Sequence, residues 1–152
     1  MRSEAMLQSN RRGIIVAGAS LAVVAFARRD AQATGMPGLT THMLDVASGK
    51  PAEGVRIDFA VLDSDVYRPI RTVHTNADGR NSEPLLTAET MKVGQYQLVF
   101  HIADYFTKLG TVLSNPPFLD QAVIQFGIAD AMSHYHVPLL ASPWTYTTSR
   151  GS

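Results

Sequence analysis

Three segments of this chain alternate apolar side chains with a period of two, and that alternation restricts the fold more than any other feature. Val55, Ile57, Phe59 and Val61 alternate with Arg56, Asp58, Ala60 and Leu62. Tyr96, Leu98, Phe100 and Ile102 alternate with Gln95, Gln97, Val99 and His101, and Ala122, Ile124, Phe126 and Ile128 form a third set. Successive side chains of a strand point to opposite faces, so each segment predicts a strand with one buried face. Turn chemistry lies between the strands, in Ser48-Gly49-Lys50-Pro51, Asn76-Ala77-Asp78-Gly79 and Ser114-Asn115-Pro116-Pro117. Short strands with frequent turns predict an all-β sandwich of about seven or eight strands. One short helix is predicted over 104–109, ended by Gly110. So small a sandwich has a marginal core, which association would help to stabilise; Val99 and Val123 on the solvent side fit that.

The first 33 residues are a different kind of sequence. Arg11-Arg12 precede an apolar run from Gly13 to Phe26, and Ala31-Gln32-Ala33 follows as a small-x-small site. A charged segment, a short apolar segment and such a site together predict an export signal. The run falls short of the roughly twenty residues a spanning helix needs, so no stable membrane insertion is expected. The paired arginines followed by Gly13-Ile14-Ile15 resemble a twin-arginine signal, and Arg28-Arg29 before the cleavage site fits that route. The expected organisation is an export signal over 1–33, a short linker over 34–38 and one domain over 39–152. Its expected location is the periplasm, or the cytoplasm if the signal is not cleaved.

Composition excludes several chemistries. The chain has no cysteine, so disulfides, thiolate nucleophiles and zinc–cysteine sites are ruled out. Of 13 basic and 13 acidic residues, five and two respectively lie in the first 33 positions. Eight basic and eleven acidic residues remain, a formal charge of −3 in the rest of the chain. That balance offers no basic footprint for nucleic acid.

The residues with chemistry cluster late. In the predicted strand over 133–141, Tyr135, Val137, Leu139 and Ala141 make the apolar face, while His134, His136, Pro138 and Leu140 point the other way. Pro138 implies an edge or a place without a ladder bond. His42 lies in an earlier strand over 39–45, with Thr40 and Leu44 on its side. The chain ends a dozen residues after the histidine strand, which can bring Arg150 and Ser152 near the imidazoles. Arg80 directly follows the Asp78-Gly79 turn, and its guanidinium suits a carboxylate or a developing oxyanion. His74 and His101 read as surface or structural histidines. A pair of imidazoles on one strand with a third nearby serves either metal-free acid–base chemistry or zinc, and the residues alone leave both open.

Three separated blocks carry a resemblance. Leu39-Thr40-Thr41-His42-Met43-Leu44-Asp45, Thr75-Asn76-Ala77-Asp78-Gly79-Arg80, and His134-Tyr135-His136-Val137-Pro138-Leu139-Leu140 through Ser142-Pro143 to Arg150-Gly151-Ser152 resemble the transthyretin-related family, and more specifically its 5-hydroxyisourate hydrolases. The resemblance covers 39–152. It implies a transthyretin-like sandwich of two four-stranded sheets with one short helix, assembled as a homotetramer of two dimers, with active sites in the channel where the dimers meet. It also implies a hydrolase that opens 5-hydroxyisourate in urate breakdown, without a metal or other cofactor. His42, Arg80 and His136 carry over as catalytic residues, and these three with Ser152 as substrate-binding residues. Which histidine is base and which acid stays open. The family usually has tyrosine where this chain has Ser149, and Tyr-Gly where it has Trp144-Thr145. The alternative implied by Ser149 is an exported transthyretin-like protein that binds a small ligand without turnover.

Overall fold

Eight strands and one helix follow one another as β1 (Gly38–Asp45), β2 (Lys50–Pro51), β3 (Arg56–Asp63), β4 (Val66–His74), β5 (Gly94–Phe100), α1 (Ile102–Lys108), β6 (Ala122–Ile128), β7 (His134–Ala141) and β8 (Tyr146–Thr148). The structure is a computed structural model that describes residues 35–151. The export signal expected over 1–33 and the terminal Ser152 lie outside the described residues. No helix among the described residues is long and apolar enough to cross a membrane.

The strands form two four-stranded sheets, ordered β2-β1-β7-β8 and β4-β3-β5-β6. All neighbours are antiparallel except β1 and β7, which run parallel from the Gly38–His134 pair to the Asp45–Ala141 pair. The two inner faces supply the core. Ile57, Phe59, Leu98 and Phe100 from the second sheet are fully buried, as are Leu39, Met43 and Leu139 from the first. Helix α1 adds Ile102 and Phe106 to the same core.

The alternating segments become β3, β5 and β6, with the predicted apolar residues inward. The helix begins two residues earlier than predicted, at Ile102, and Gly110 beyond its end has φ +80° and donates its N–H to the Thr107 carbonyl. Pro138 is not on an edge, since β7 lies between β1 and β8. It sits instead where a ladder bond is missing. Strand β8 pairs Thr148 with Leu139, and the same register returns at Gly151 opposite His136. Pro138 falls in the gap, without an N–H to give, and its carbonyl accepts the Thr148 hydroxyl at 2.7 Å.

Candidate active site

Parallel pairing of β1 with β7 sets Thr40 beside His136 and His42 beside Pro138. In β1, Leu39, Thr41 and Met43 point into the core, which turns Thr40, His42 and Leu44 outward. The same period in β7 buries Tyr135, Val137 and Leu139 and turns out His134 and His136. Thr40, His42, His134 and His136 therefore share the outer face of the first sheet, all half-buried.

These side chains bond to one another. His42 Nδ1 lies 2.7 Å from His136 Nε2, with the two rings stacked at 4.8 Å between centroids and 15° between planes. The other nitrogen of His136, Nδ1, lies 2.8 Å from the Thr40 hydroxyl. That hydroxyl also reaches His134 Nε2 at 3.3 Å. Thr40 is the member of this set for which the sequence suggests no role. The period of two places it on the histidine face, but a threonine in a strand is ordinary, and only the distances mark it.

Arg80 is brought to the same place by a turn. Asn76 Oδ1 accepts the N–H groups of Asp78 and Arg80, and the Asn76 N–H donates to the Arg80 carbonyl at 2.7 Å. The turn is stitched to β1 by the Met43 N–H donating to the Gly79 carbonyl at 2.8 Å, and Arg80 bridges His42 through the backbone. The Arg80 residue itself is exposed.

Gly151 reaches His136 as well. Gly151 donates its N–H to the His136 carbonyl at 2.7 Å and accepts the His136 N–H at 3.2 Å. A side chain here would crowd the histidine, since a Cβ on Gly151 would lie 3.1 Å from His136 Cβ and 3.2 Å from its Cδ2. Arg150 does not join the imidazoles, contrary to expectation. Its guanidinium sits 4.6 Å over the Tyr135 ring, on the inward side of β7. His101 is structural, as the sequence predicts: its Nε2 lies 2.7 Å from an Asp58 carboxylate oxygen. Burial raises that carboxyl, but hydrogen bonds from Thr72, His101 and Arg56 outweigh it and hold the pKa at about 2. His74 is exposed at the end of β4.

The environment keeps the central imidazoles neutral. Burial is the main force that lowers His136 to about 4, reinforced by His42, Arg80 and His134 and opposed by a hydrogen bond to the Thr40 backbone. Burial, then the Arg80 charge, also lowers His42 below its ordinary value. An NMR titration should accordingly show His136 ring resonances moving near pH 4, and a midpoint at or above 6.5 would refute the electrostatic description. The linkage has a definite sign. Between pH 6.5 and about 4 the unfolded chain takes up a proton that folded His136 refuses. This contribution to stability is thus complete above pH 6.5 and is lost as pH falls toward 4.

Neutral imidazoles in mutual contact, within reach of the Arg80 charge, can take a proton from water, return one to a leaving group and oppose developing negative charge. His42 Nδ1 and His136 Nε2 face each other rather than a common point, and among the described residues no group of three ligands is arranged to hold a metal ion.

Residues 39–151 match the family described as HIUase/Transthyretin. The chain is 54% identical over 114 residues to 5-hydroxyisourate hydrolase 2 of Rhizobium meliloti, covering 75% of this chain and 95% of that protein. Among solved structures it is similar to Klebsiella pneumoniae 5-hydroxyisourate hydrolase, with a TM-score of 0.62 and 30% identity over 76% of this chain and 94% of the other. It also matches an (S)-allantoin synthase with a TM-score of 0.72 and 41% identity, covering 78% of this chain but 44% of that longer one.

Proposed function

The chain belongs to the HIUase/Transthyretin family, and from that premise we propose that it hydrolyses 5-hydroxyisourate to 2-oxo-4-hydroxy-4-carboxy-5-ureidoimidazoline by histidine-assisted attack of water on a ring carbonyl. The observation that carries the chemistry is the 2.7 Å contact between His42 Nδ1 and His136 Nε2, held beside Arg80. Ring opening adds water to a carbonyl carbon and breaks the adjacent C–N bond. It needs a base for the water, a cation for the oxyanion and a proton for the leaving nitrogen. The His42–His136 pair supplies the base and the proton, since burial and the Arg80 charge favour the neutral form of both rings. Arg80 holds the carbonyl-rich substrate and stabilises the oxyanion. The resemblance assigns Ser152 to substrate binding; the Gly151–His136 bridge supports this by holding the preceding residue against the histidine strand.

The same reading includes assembly as a homotetramer of two dimers and export to the periplasm by the twin-arginine route. Strands β6 and β8 are open sheet edges in the single chain, and Val123 on β6 is exposed. These features support association. The case for export rests on the residues of 1–33.

The test uses the full chain, purified in chelator. When 5-hydroxyisourate is generated in the cuvette by urate oxidase, its ultraviolet decay should accelerate severalfold or more over the buffer rate. A folded protein that leaves the decay unchanged, with or without restored metal, would overturn the hydrolase reading in favour of ligand binding without turnover.

A further inference from the structure

The hydrogen bonds around His136 do not stop at the catalytic pair. They continue through Thr40 to His134, in the order His42, His136, Thr40, His134, at 2.7, 2.8 and 3.3 Å. Each contact joins a group able to donate to a group able to accept. A hydroxyl has one proton and can also accept, and a neutral imidazole has one N–H and one bare nitrogen. A chain of such groups has two consistent settings. In the first, His42 donates from Nδ1 to His136 Nε2, His136 donates from Nδ1 to Thr40, and Thr40 donates to His134 Nε2. In the second, every bond is reversed.

The settings differ at the free end of the chain of bonds. His42 Nε2 has no partner among the described residues. In the first setting this nitrogen is bare and is a base, and in the second it carries the proton and is an acid. Thr40 is the hinge of the system, because its single hydroxyl proton can go to one histidine only.

We propose that Thr40 and His134 complete a proton relay that starts at His42 Nε2 and runs through His136, switching His42 from base to acid within one turnover. The relay rests on the hydrolase reading and assigns the roles that reading leaves shared. As the water oxygen bonds to the ring carbonyl carbon, a water proton passes to His42 Nε2. The His42 Nδ1 proton moves to His136 Nε2, the His136 Nδ1 proton to Thr40, and the Thr40 proton to His134 Nε2. The positive charge now rests on His134, and His42 presents an N–H. When the C–N bond breaks, His42 Nε2 gives its proton to the leaving nitrogen and the chain runs back. His134 returns to neutral, and the net transfer is one proton from water to nitrogen. Moving the charge off these two rings is useful here, because burial and the Arg80 charge both oppose a cation on His42 and on His136.

Thr40 and His134 are positioning residues in this scheme, and their test separates relay from packing. Thr40→Val keeps the branched shape and removes the hydroxyl, whereas Thr40→Ser keeps the hydroxyl. Loss of a partner that orients a metal-bound histidine typically costs about 10–100-fold, and a similar factor is expected for a partner that orients a catalytic imidazole. The expected result is that Thr40→Val lowers kcat by about that factor with KM nearly unchanged, while Thr40→Ser recovers most of the loss. His134→Ala should lose a similar factor and regain rate when imidazole is added to the buffer. In the wild type, nitrogen-15 shifts should show tautomers of His134 and His136 that change together in Thr40→Val, a readout that needs no substrate. The relay is overturned if Thr40→Val keeps the wild-type kcat, or if Thr40→Ser is as impaired as Thr40→Val. Absence of hydrolysis by the wild type would instead overturn the function, which keeps the two failures distinct.

Discussion

Replacing His136 with alanine should lower turnover of 5-hydroxyisourate about 10²–10⁴-fold, the usual worth of a positioned acid–base group. His136 is the member of the site with the most partners. Its Nε2 holds His42, its Nδ1 holds Thr40, and its backbone binds Gly151 through both hydrogen bonds. Removing the ring leaves His42 Nδ1 without a partner, so the tautomer and orientation of the base are no longer fixed. The loss should fall on kcat more than on KM, because the Arg80 proposed to bind the substrate is untouched. The sandwich should survive, since His136 points away from the core and its neighbours Tyr135 and Val137 carry the packing of β7. Steady-state kinetics on freshly generated substrate, with a thermal melt as the control for folding, decide the matter. A folded variant with wild-type kcat would remove His136 from the mechanism.

Much of this arrangement is legible in the order of residues. A period of two is visible wherever a strand buries one face only, which is why β1, β3, β5, β6 and β7 can be read. Strand β4 cannot. Its pattern is exposed or half-buried throughout, because it is an edge strand with little of either face in the core. Its ladder is broken as well: Arg71 pairs with Phe59 and Pro69 with Ala60, leaving Ile70 as the extra residue of a bulge. Strands β2 and β8 have two and three residues, too few to show any period. Ile102 continues the alternation of β5, although it opens α1; it is buried in either role, so burial alone does not reveal the change of element.

The site is legible in part for the same reason. Alternation places His134 and His136 on one face, and His42 with Thr40 on another strand's face. Nothing in residue order says that two strands some 94 positions apart lie parallel and adjacent. That knowledge comes from the three resembling blocks, and the β1–β7 pairing supplies its physical content. The bond from Thr40 to two histidines depends on that adjacency, so it has no signature in sequence.

Substituting Gly79 with alanine should be the most damaging glycine-to-alanine change among the described residues. Gly79 has φ +71°, where an L side chain costs about 1–2 kcal/mol. Steric overlap costs more. The new Cβ would lie 2.4 Å from the Met43 carbonyl oxygen and 3.1 Å from the Ala52 nitrogen, both backbone atoms that cannot swing aside. Overpacking of this kind adds about 1–3 kcal/mol, so the total is roughly 2–5 kcal/mol, a large share of the 5–15 kcal/mol typical of a domain. Gly49 supplies the control: it has the same φ of +71°, yet its Cβ would meet nothing within 4 Å. Gly49→Ala should therefore show the conformational cost alone. The overlap at Gly79 also falls on the stitch that holds the Arg80 turn to β1, where the Met43 N–H meets the Gly79 carbonyl and the Met43 carbonyl takes the Ala52 N–H. Relief of the clash has to push that turn outward and Arg80 away from His42. Gly79→Ala should thus unfold at clearly lower denaturant than Gly49→Ala and lose turnover even where it remains folded. Equal unfolding midpoints for the two variants would show that the turn yields freely, and that Arg80 is not positioned by the close approach of Gly79 to β1.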